Sequence, residues 1–184
     1  MAQKYKISMI YLIKLYKTLT MNFLAIGAAA VIPMVVGFIW YHPKVLGTAW
    51  MKACGLDEEK LKGANIMVIF GVSILLSFML AIITQVIVIH QTHLGSLLAV
   101  QPDFKEAGSV SGELYKKMMD LYGQSFRTFK HGAFHGVIFS IFFILPVLGT
   151  NAIFERKGFK YVMINVGYWT LTLALVGGVI CQWA

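Results

Sequence analysis

The sequence predicts an all-α integral membrane protein, built as a four-transmembrane-helix bundle with interfacial amphipathic helices. Of its 184 residues, 58% are hydrophobic and only 13% are charged, and the mean hydropathy is +0.73. A water-soluble domain usually has about 25% charged and about 45–50% apolar residues. The apolar side chains therefore exceed what a single soluble core can bury, and a lipid bilayer accommodates the excess.

Four segments without Asp, Glu, Lys or Arg are long enough to span this bilayer. A spanning helix needs about 20 mostly apolar residues. Because hydrocarbon offers no hydrogen-bond partners, the backbone groups must pair within each segment, which makes the segments helical. The predicted spans cover residues 22–41, 64–90, 131–151 and 161–183.

Glycines, prolines and amides within or beside these spans indicate how the helices pack. Gly132 and Gly136 fit the small-x-x-x-small pattern that lets two helix backbones approach closely. Pro33 and Pro146 are expected to kink their helices, because proline lacks the N–H of the helical hydrogen bond. Interhelical hydrogen bonds are expected from the amide side chains Asn65, Gln85, Asn151 and Asn165.

Two segments outside the spans have the pattern of amphipathic helices. Residues 1–21 are apolar but include lysines at positions 4, 6, 14 and 17, which predicts a helix lying on the membrane surface. In the loop before the third span, Ser111 is expected to cap a helix over residues 111–129, which lies at the interface or docks a partner. Its apolar residues recur at helical spacing, at Leu114, Met118, Tyr122, Phe126 and Phe129.

The distribution of charge excludes some classes of function. The formal net charge of +8 comes from loops and helix ends, where it meets the anionic headgroups of the bilayer. No basic face is interleaved with exposed aromatics, so nucleic acid is not expected as a partner. Ion-coupled transporters, and hydrolases that use paired carboxylates, generally need Asp, Glu, Lys or Arg inside the bundle, and the predicted spans have none of these residues, so both classes are disfavoured.

Four histidines are the candidate ligands of a transition metal or a haem. His90 and His93 lie at the exit of the second span, and His131 and His135 lie at the entry of the third. Spacings of three and four place both members of each pair on one helix face. The loop between these spans returns to the same membrane face, so all four imidazoles can converge. His42 belongs to the opposite face and is a poor fifth ligand.

Both a functional and a structural interpretation of these histidines are open. Imidazole suits zinc, copper, iron or nickel, and a haem held between two helices would need one histidine from each. Histidine is also common near the membrane interface, where its ring packs against apolar groups while its polar tip reaches water. Any helical hairpin brings such residues to one side, so their convergence does not by itself indicate a site.

Two stretches of the chain resemble a family of small bacterial four-span membrane proteins. In "NFLAIGAAAVIPMVVGFIWYHPKVLGTAWMKACGLDEEKLKG", an apolar span ends in Trp-Tyr, followed by a proline, a Gly-x-x-Trp and a short acidic helix. The stretch "PVLGTNAIFERKGFKYVMINVGYWTLTLALVGG" is similar to that family's third and fourth spans. The family is a domain of unknown function, DUF family 1761. The residues that carry the resemblance are Trp40, Tyr41, Pro43, Gly47, Trp50, Asp57 to Gly63, Asn151, Phe154, Glu155, Asn165, Gly167, Tyr168 and Trp169.

The resemblance covers residues 22–183 and implies a multi-pass protein of a bacterial inner membrane. It implies no activity, because none is assigned to the family, and the histidines are not part of its pattern.

Three functions remain possible for this chain. The first expectation is a non-enzymatic accessory or assembly subunit that packs in a homo-oligomer or a larger membrane complex. The second is a metal- or haem-binding protein that uses the four histidines, and the third is a binder of lipid or another small apolar ligand between kinked helices.

Overall fold

The computed structural model describes residues 22–184, so the surface helix predicted for residues 1–21 lies outside the described residues. From residue 22 onward the chain forms helices and turns, and this range includes no strand. Four of the helices are long and apolar enough to cross a membrane. The predicted all-α, four-span architecture is confirmed.

The four spans follow the predicted segments closely, with ends that differ by a few residues. The helices in chain order are α1 (Phe23–Trp40), α2 (Thr48–Cys54), α3 (Glu58–Leu61), α4 (Ile66–Val88), α5 (His90–Ala99), α6 (Val110–Tyr122), α7 (Phe129–Phe154) and α8 (Phe159–Trp183). The spans are α1, α4, α7 and α8. Asparagine side chains begin the first two, because Asn22 accepts a hydrogen bond from the Ala25 N–H and Asn65 accepts one from the Val68 N–H.

The central helix of the bundle is α8, and its most extensive contact is with α7. The two backbones approach closely because Gly132 lies against Gly177, and Gly136 lies against the backbone of Leu173 and Ala174. A Cβ atom at Gly136 would lie 2.8 Å from the Ala174 nitrogen, a separation that real Cβ atoms essentially never show. The glycine pair recognised in the sequence therefore makes a backbone-to-backbone helix contact.

The other two spans, α1 and α4, pack against α8 and against each other. This core lies toward the ends of the spans that carry the histidines, and its buried side chains include Ile26, Ala29, Ala81, Val88, Val176 and Ile180. Toward the opposite membrane face, by contrast, every residue of α4 from Ile66 to Phe70 is exposed. The two helices therefore pack closely at one end and leave an opening between them at the other.

The two prolines inside the spans differ in their local structure. In α7 a π-helical turn over Ser140–Ile144 ends two residues before Pro146. Proline has no N–H to donate and its ring crowds the preceding turn, so a widened turn accommodates it. In α1 the carbonyl oxygen of Pro33 accepts a hydrogen bond of 2.9 Å from the Tyr168 hydroxyl of α8.

The helix of the long loop is shorter than predicted and has a different cap. It covers Val110–Tyr122, and Ser109 caps it by accepting from the Gly112 N–H. Ser111 instead donates from its hydroxyl and its N–H to Asp103, and these bonds lower the pKa of that carboxyl group. The helix cannot reach Phe129 because Phe126 adopts a positive φ of 62°. Phe129 begins α7 instead.

The amides beside the spans mostly have roles other than the expected interhelical bonds. Asn65 caps α4, and Asn151 is exposed. Asn165 does join two helices, because its side-chain oxygen accepts from the Tyr41 hydroxyl at 3.0 Å. The buried side-chain oxygen of Gln85 has no hydrogen-bond partner within the described residues.

Candidate metal centre

Three of the four predicted histidines meet at one membrane face. His90 is the first residue of α5, and His131 and His135 lie on successive turns at the start of α7. The Nε2 atoms of His90 and His131 are 2.9 Å apart. Each of the three rings offers a nitrogen, and these nitrogens all lie within 4.8 Å of one another. We call this group the histidine cluster.

A break in the chain after α4 directs His90 toward α7. Helix α4 ends at Val88, and Ile89 has extended backbone angles, φ −108° and ψ 101°. The Thr92 hydroxyl donates to the Ile89 carbonyl at 2.6 Å and holds the first turn of α5. Without this break His90 would continue the α4 helix, and its side chain would point in another direction. The sequence pattern shows no glycine or proline here, so the break was not predicted.

The position of α7 is fixed from both sides. Thr128 caps the helix, because its hydroxyl oxygen accepts from the His131 N–H at 3.3 Å. The Phe129 N–H donates to the side-chain oxygen of Gln182 on α8. Together with the glycine contact between α7 and α8, these bonds set the height and rotation of the turn that carries His131 and His135.

The remaining histidines do not join the cluster. His93 is exposed on α5 and is not among the three residues that converge. His42 lies at the opposite membrane face, where its Nδ1 accepts from the Lys44 N–H at 3.2 Å. The prediction of a four-histidine set therefore reduces to three converging residues.

Aromatic rings flank the histidine cluster. The ring of Phe126 lies 5.1 Å from that of His131 and 6.0 Å from that of His90, centroid to centroid. The ring of Phe134 lies 6.0 Å from that of His135. Phe126 was predicted as one more residue of the loop helix, and nothing in the sequence pattern marks its turn. Its left-handed backbone is unfavourable for a bulky residue.

Replacing Phe126 tests whether this backbone conformation costs stability. Phe126→Gly and Phe126→Ala both remove the ring, but only glycine adopts a positive φ without a Cβ clash. We expect the glycine variant to be more stable than the alanine variant by about 1 kcal/mol. The free energy of unfolding can be measured by SDS titration in mixed micelles, followed by circular dichroism.

The matched control for Phe126 is the same pair of substitutions at Leu114, in the helical part of α6. There the order should reverse, with Leu114→Gly less stable than Leu114→Ala by about 1 kcal/mol, because glycine is a poor helix former. Equal stability of Phe126→Gly and Phe126→Ala would show that the positive φ at this position costs no stability, and would contradict the prediction.

The geometry of the histidine cluster suits a tetrahedral transition-metal ion. Nitrogens bonded to zinc at about 2.0–2.1 Å lie roughly 3.3 Å from one another. In the cluster one pair of nitrogens is 2.9 Å apart and all three lie within 4.8 Å of one another, so small side-chain movements would bring them to that spacing. Among residues 22–184 no carboxylate or thiol joins the group. Three neutral imidazoles would leave one coordination position free, as in zinc sites that act on a small ligand.

Many of the residues that carry the family resemblance meet at the opposite membrane face. The Trp40 indole donates to the Ile164 carbonyl at 3.0 Å, and the Tyr41 hydroxyl donates to Asn165. The ring of Tyr41 lies 5.1 Å from that of Trp50 and 5.2 Å from that of Tyr168. We call this group the aromatic collar. It fixes the end of α1 against the start of α8.

Below the aromatic collar lies a cleft of about 600 Å³ between α1, α4 and α8, open on one side. The lining residues are mostly apolar or aromatic, namely Pro33, Met34, Gly37, Phe38, Tyr41, Ile69, Phe70, Ser73, Leu76, Ser77, Leu80, Tyr168 and Trp169. The sequence suggested a pocket beside Pro33 but gave no way to identify its other walls, which come from three separate helices.

Comparison with known proteins identifies a family and no activity. The family model described as "Protein of unknown function (DUF1761)" matches residues 24–181. No curated protein and no solved structure matches this chain.

Proposed function

Because the chain belongs to the DUF1761 family, whose function is unknown, we propose its function from the site, as a membrane protein that binds a transition-metal ion. The ligands are His90, His131 and His135, and zinc is the ion that we expect. The observation that carries this proposal is the convergence of three imidazole nitrogens within 4.8 Å. We also propose a bacterial inner membrane as its location, which the family resemblance supports.

The composition of the cluster favours a bound ion over histidines that merely lie at the interface. An interfacial histidine needs only water for its polar tip, whereas here three rings turn toward one another. His131 and His135 are partly buried, His90 is exposed, and the rings of Phe126 and Phe134 lie beside the cluster. A metal ion satisfies three neutral nitrogens at once, and it does so best where a hydrophobic shell limits the access of water.

A haem is less well supported than a single ion. Two histidines that ligate a haem iron stand on opposite sides of a flat macrocycle. The three rings here lie against one another, with centroids 4.5 to 5.1 Å apart, and this spacing leaves no slot for a macrocycle between them.

Zinc titration of the purified protein tests the proposal. After removal of metal with a chelator in detergent, we expect one equivalent of zinc to bind per chain. The variant His131→Ala/His135→Ala should bind zinc at least about 100-fold more weakly, because it loses two of three ligands. Cobalt is a second probe, since its visible absorption distinguishes tetrahedral coordination from exposed, weak binding.

Two matched controls come from the histidines outside the cluster. His93→Ala removes a histidine of the same membrane face, and His42→Ala removes one of the opposite face. Both variants should bind zinc as the wild type does. If the double variant binds zinc as tightly as the wild type, with equal helicity, the three rings are interfacial histidines and the proposal fails.

The function as an accessory subunit is a second proposal. It is supported by the wide exposed faces of two spans. In the most apolar stretch of α4, only 11% of the residues are buried within this chain, and the same holds for α7. Lipid or a neighbouring protein covers these faces. The mass of the detergent-solubilised particle, corrected for detergent, decides whether a single chain or an assembly is present.

A further inference from the structure

The cleft below the aromatic collar has features of a ligand site that is separate from the histidine cluster. Its volume of about 600 Å³ lies within the roughly 300–1,000 Å³ of small-molecule sites. Its lining residues come from three of the helices that are long and apolar enough to cross a membrane, so we expect hydrocarbon around its open side. A ligand that enters from there must be soluble in the membrane.

Two serine hydroxyls in this cleft lack the partners that they would normally have. Ser73 and Ser77 are four residues apart on α4 and line the cleft together. Ser77 is only 8% exposed, and neither hydroxyl makes a hydrogen bond with any residue that the structure describes. Thr84 of the same helix, in contrast, donates to the Leu80 carbonyl at 2.7 Å. Two free donors in an apolar cleft call for an acceptor from a ligand.

The two tyrosine hydroxyls of the cleft are already used within the protein. The Tyr168 hydroxyl donates to Pro33, and the Tyr41 hydroxyl donates to Asn165. No charged side chain lines the cleft, so its ligand is neutral. The remaining walls are rich in aromatic rings, from Phe38, Phe70 and Trp169 as well as the two tyrosines. Such rings pack well against a flat ring of the ligand.

The position of the two hydroxyls along α4 favours an acceptor deeper than the ester groups of an ordinary phospholipid. Ser73 and Ser77 follow the start of α4 by about 10 and 16 Å along the helix axis. The ester carbonyls of phospholipids lie at the boundary of the hydrocarbon, whose thickness is about 30 Å. We therefore expect the acceptor to belong to a molecule that carries oxygen atoms into the hydrocarbon.

We propose that this cleft binds a lipid-soluble quinone. The flat ring lies among the aromatic side chains, and its carbonyl oxygens accept hydrogen bonds from Ser73 and Ser77. The apolar tail leaves through the open side between α1 and α4. The ligand is held at the end of the bundle opposite the histidine cluster, so the two sites are independent in their residues.

Titration with decylubiquinone tests this proposal on the full chain in phosphatidylcholine nanodiscs. Quenching of tryptophan fluorescence reports binding, since Trp169 lines the cleft. We expect saturable binding of one quinone per chain. Ser73→Ala/Ser77→Ala should weaken it about 10-fold, because two hydrogen bonds are lost, and Ser77→Phe should abolish it by filling the cleft. Decylbenzene keeps a ring and a tail but has no carbonyl, and should bind at least about 10-fold more weakly than the quinone.

Three controls separate this site from general effects. Ser96→Ala removes a serine hydroxyl from α5, far from the cleft, and should leave the affinity unchanged. His131→Ala/His135→Ala should bind quinone as the wild type does, so a failure of the metal proposal leaves this one standing. If the double serine variant binds quinone normally, or decylbenzene binds as tightly as decylubiquinone, the cleft is an acyl-chain groove and the proposal is overturned.

Discussion

Gly136→Val is expected to prevent the native packing of α7 against α8 and to lower the free energy of unfolding by about 3 kcal/mol or more. A side chain at this position meets the backbone of Leu173 and Ala174, not a flexible side chain that could move aside. The helices can accept it only by separating along their most extensive contact. SDS titration with circular dichroism measures the loss.

The control for Gly136→Val lies on the same span. Gly149 has no atom within 4 Å of the position that a Cβ would take, so Gly149→Val should leave the free energy of unfolding within about 0.5 kcal/mol of the wild type. Both variants add the same side chain to the same helix. Equal stability of the two would contradict the backbone contact between α7 and α8.

Zinc at 100 times its dissociation constant is expected to raise the free energy of unfolding by about 2.7 kcal/mol. The three ligands come from two different helices, α5 and α7, and these separate when the bundle unfolds. Zinc bound to the folded protein therefore opposes unfolding, and the midpoint of thermal unfolding in detergent should rise with the zinc concentration.

Histidine variants test whether the stabilising zinc ion binds at the histidine cluster. His131→Ala/His135→Ala should show no zinc-dependent rise, and His93→Ala should show the full rise. If zinc raises the midpoint equally in the double variant, the stabilising ion binds elsewhere. Gly136→Val should also lose the effect, because the close contact with α8 helps to position the turn of α7 that carries both histidines.

The periodicity and composition of the sequence were sufficient for the architecture. Uninterrupted apolar segments of about 20 residues are the length of a spanning helix, and a helix pairs all its backbone groups within the segment where hydrocarbon offers no partner. That single constraint placed all four spans to within a few residues. It also identified Gly132 and Gly136 as a contact surface, because close approach of two backbones tolerates few residue types.

The local irregularities of the helices could not be predicted from the sequence pattern. The loop helix was predicted to reach Phe129, but it ends at Tyr122, and Phe126 beyond it adopts a left-handed conformation. The Phe126 carbonyl accepts a hydrogen bond from the Cys181 thiol of α8, a contact distant in sequence. The break at Ile89 is similar, since isoleucine has no intrinsic preference for ending a helix. Both irregularities lie beside the histidine cluster, where the local conformation differs from what the residue types favour.

The sequence by itself determined that this chain has four helices able to cross a membrane, and it predicted that four histidines lie toward one face. Only the tertiary structure decided that His90, His131 and His135 converge while His93 does not, and that Ser73 and Ser77 face a cleft built from three helices. The physical reason is the range of the interactions involved. Hydropathy and helical period act over a few neighbouring residues, whereas a site depends on the rotation and depth of whole helices, which the packing against α8 sets.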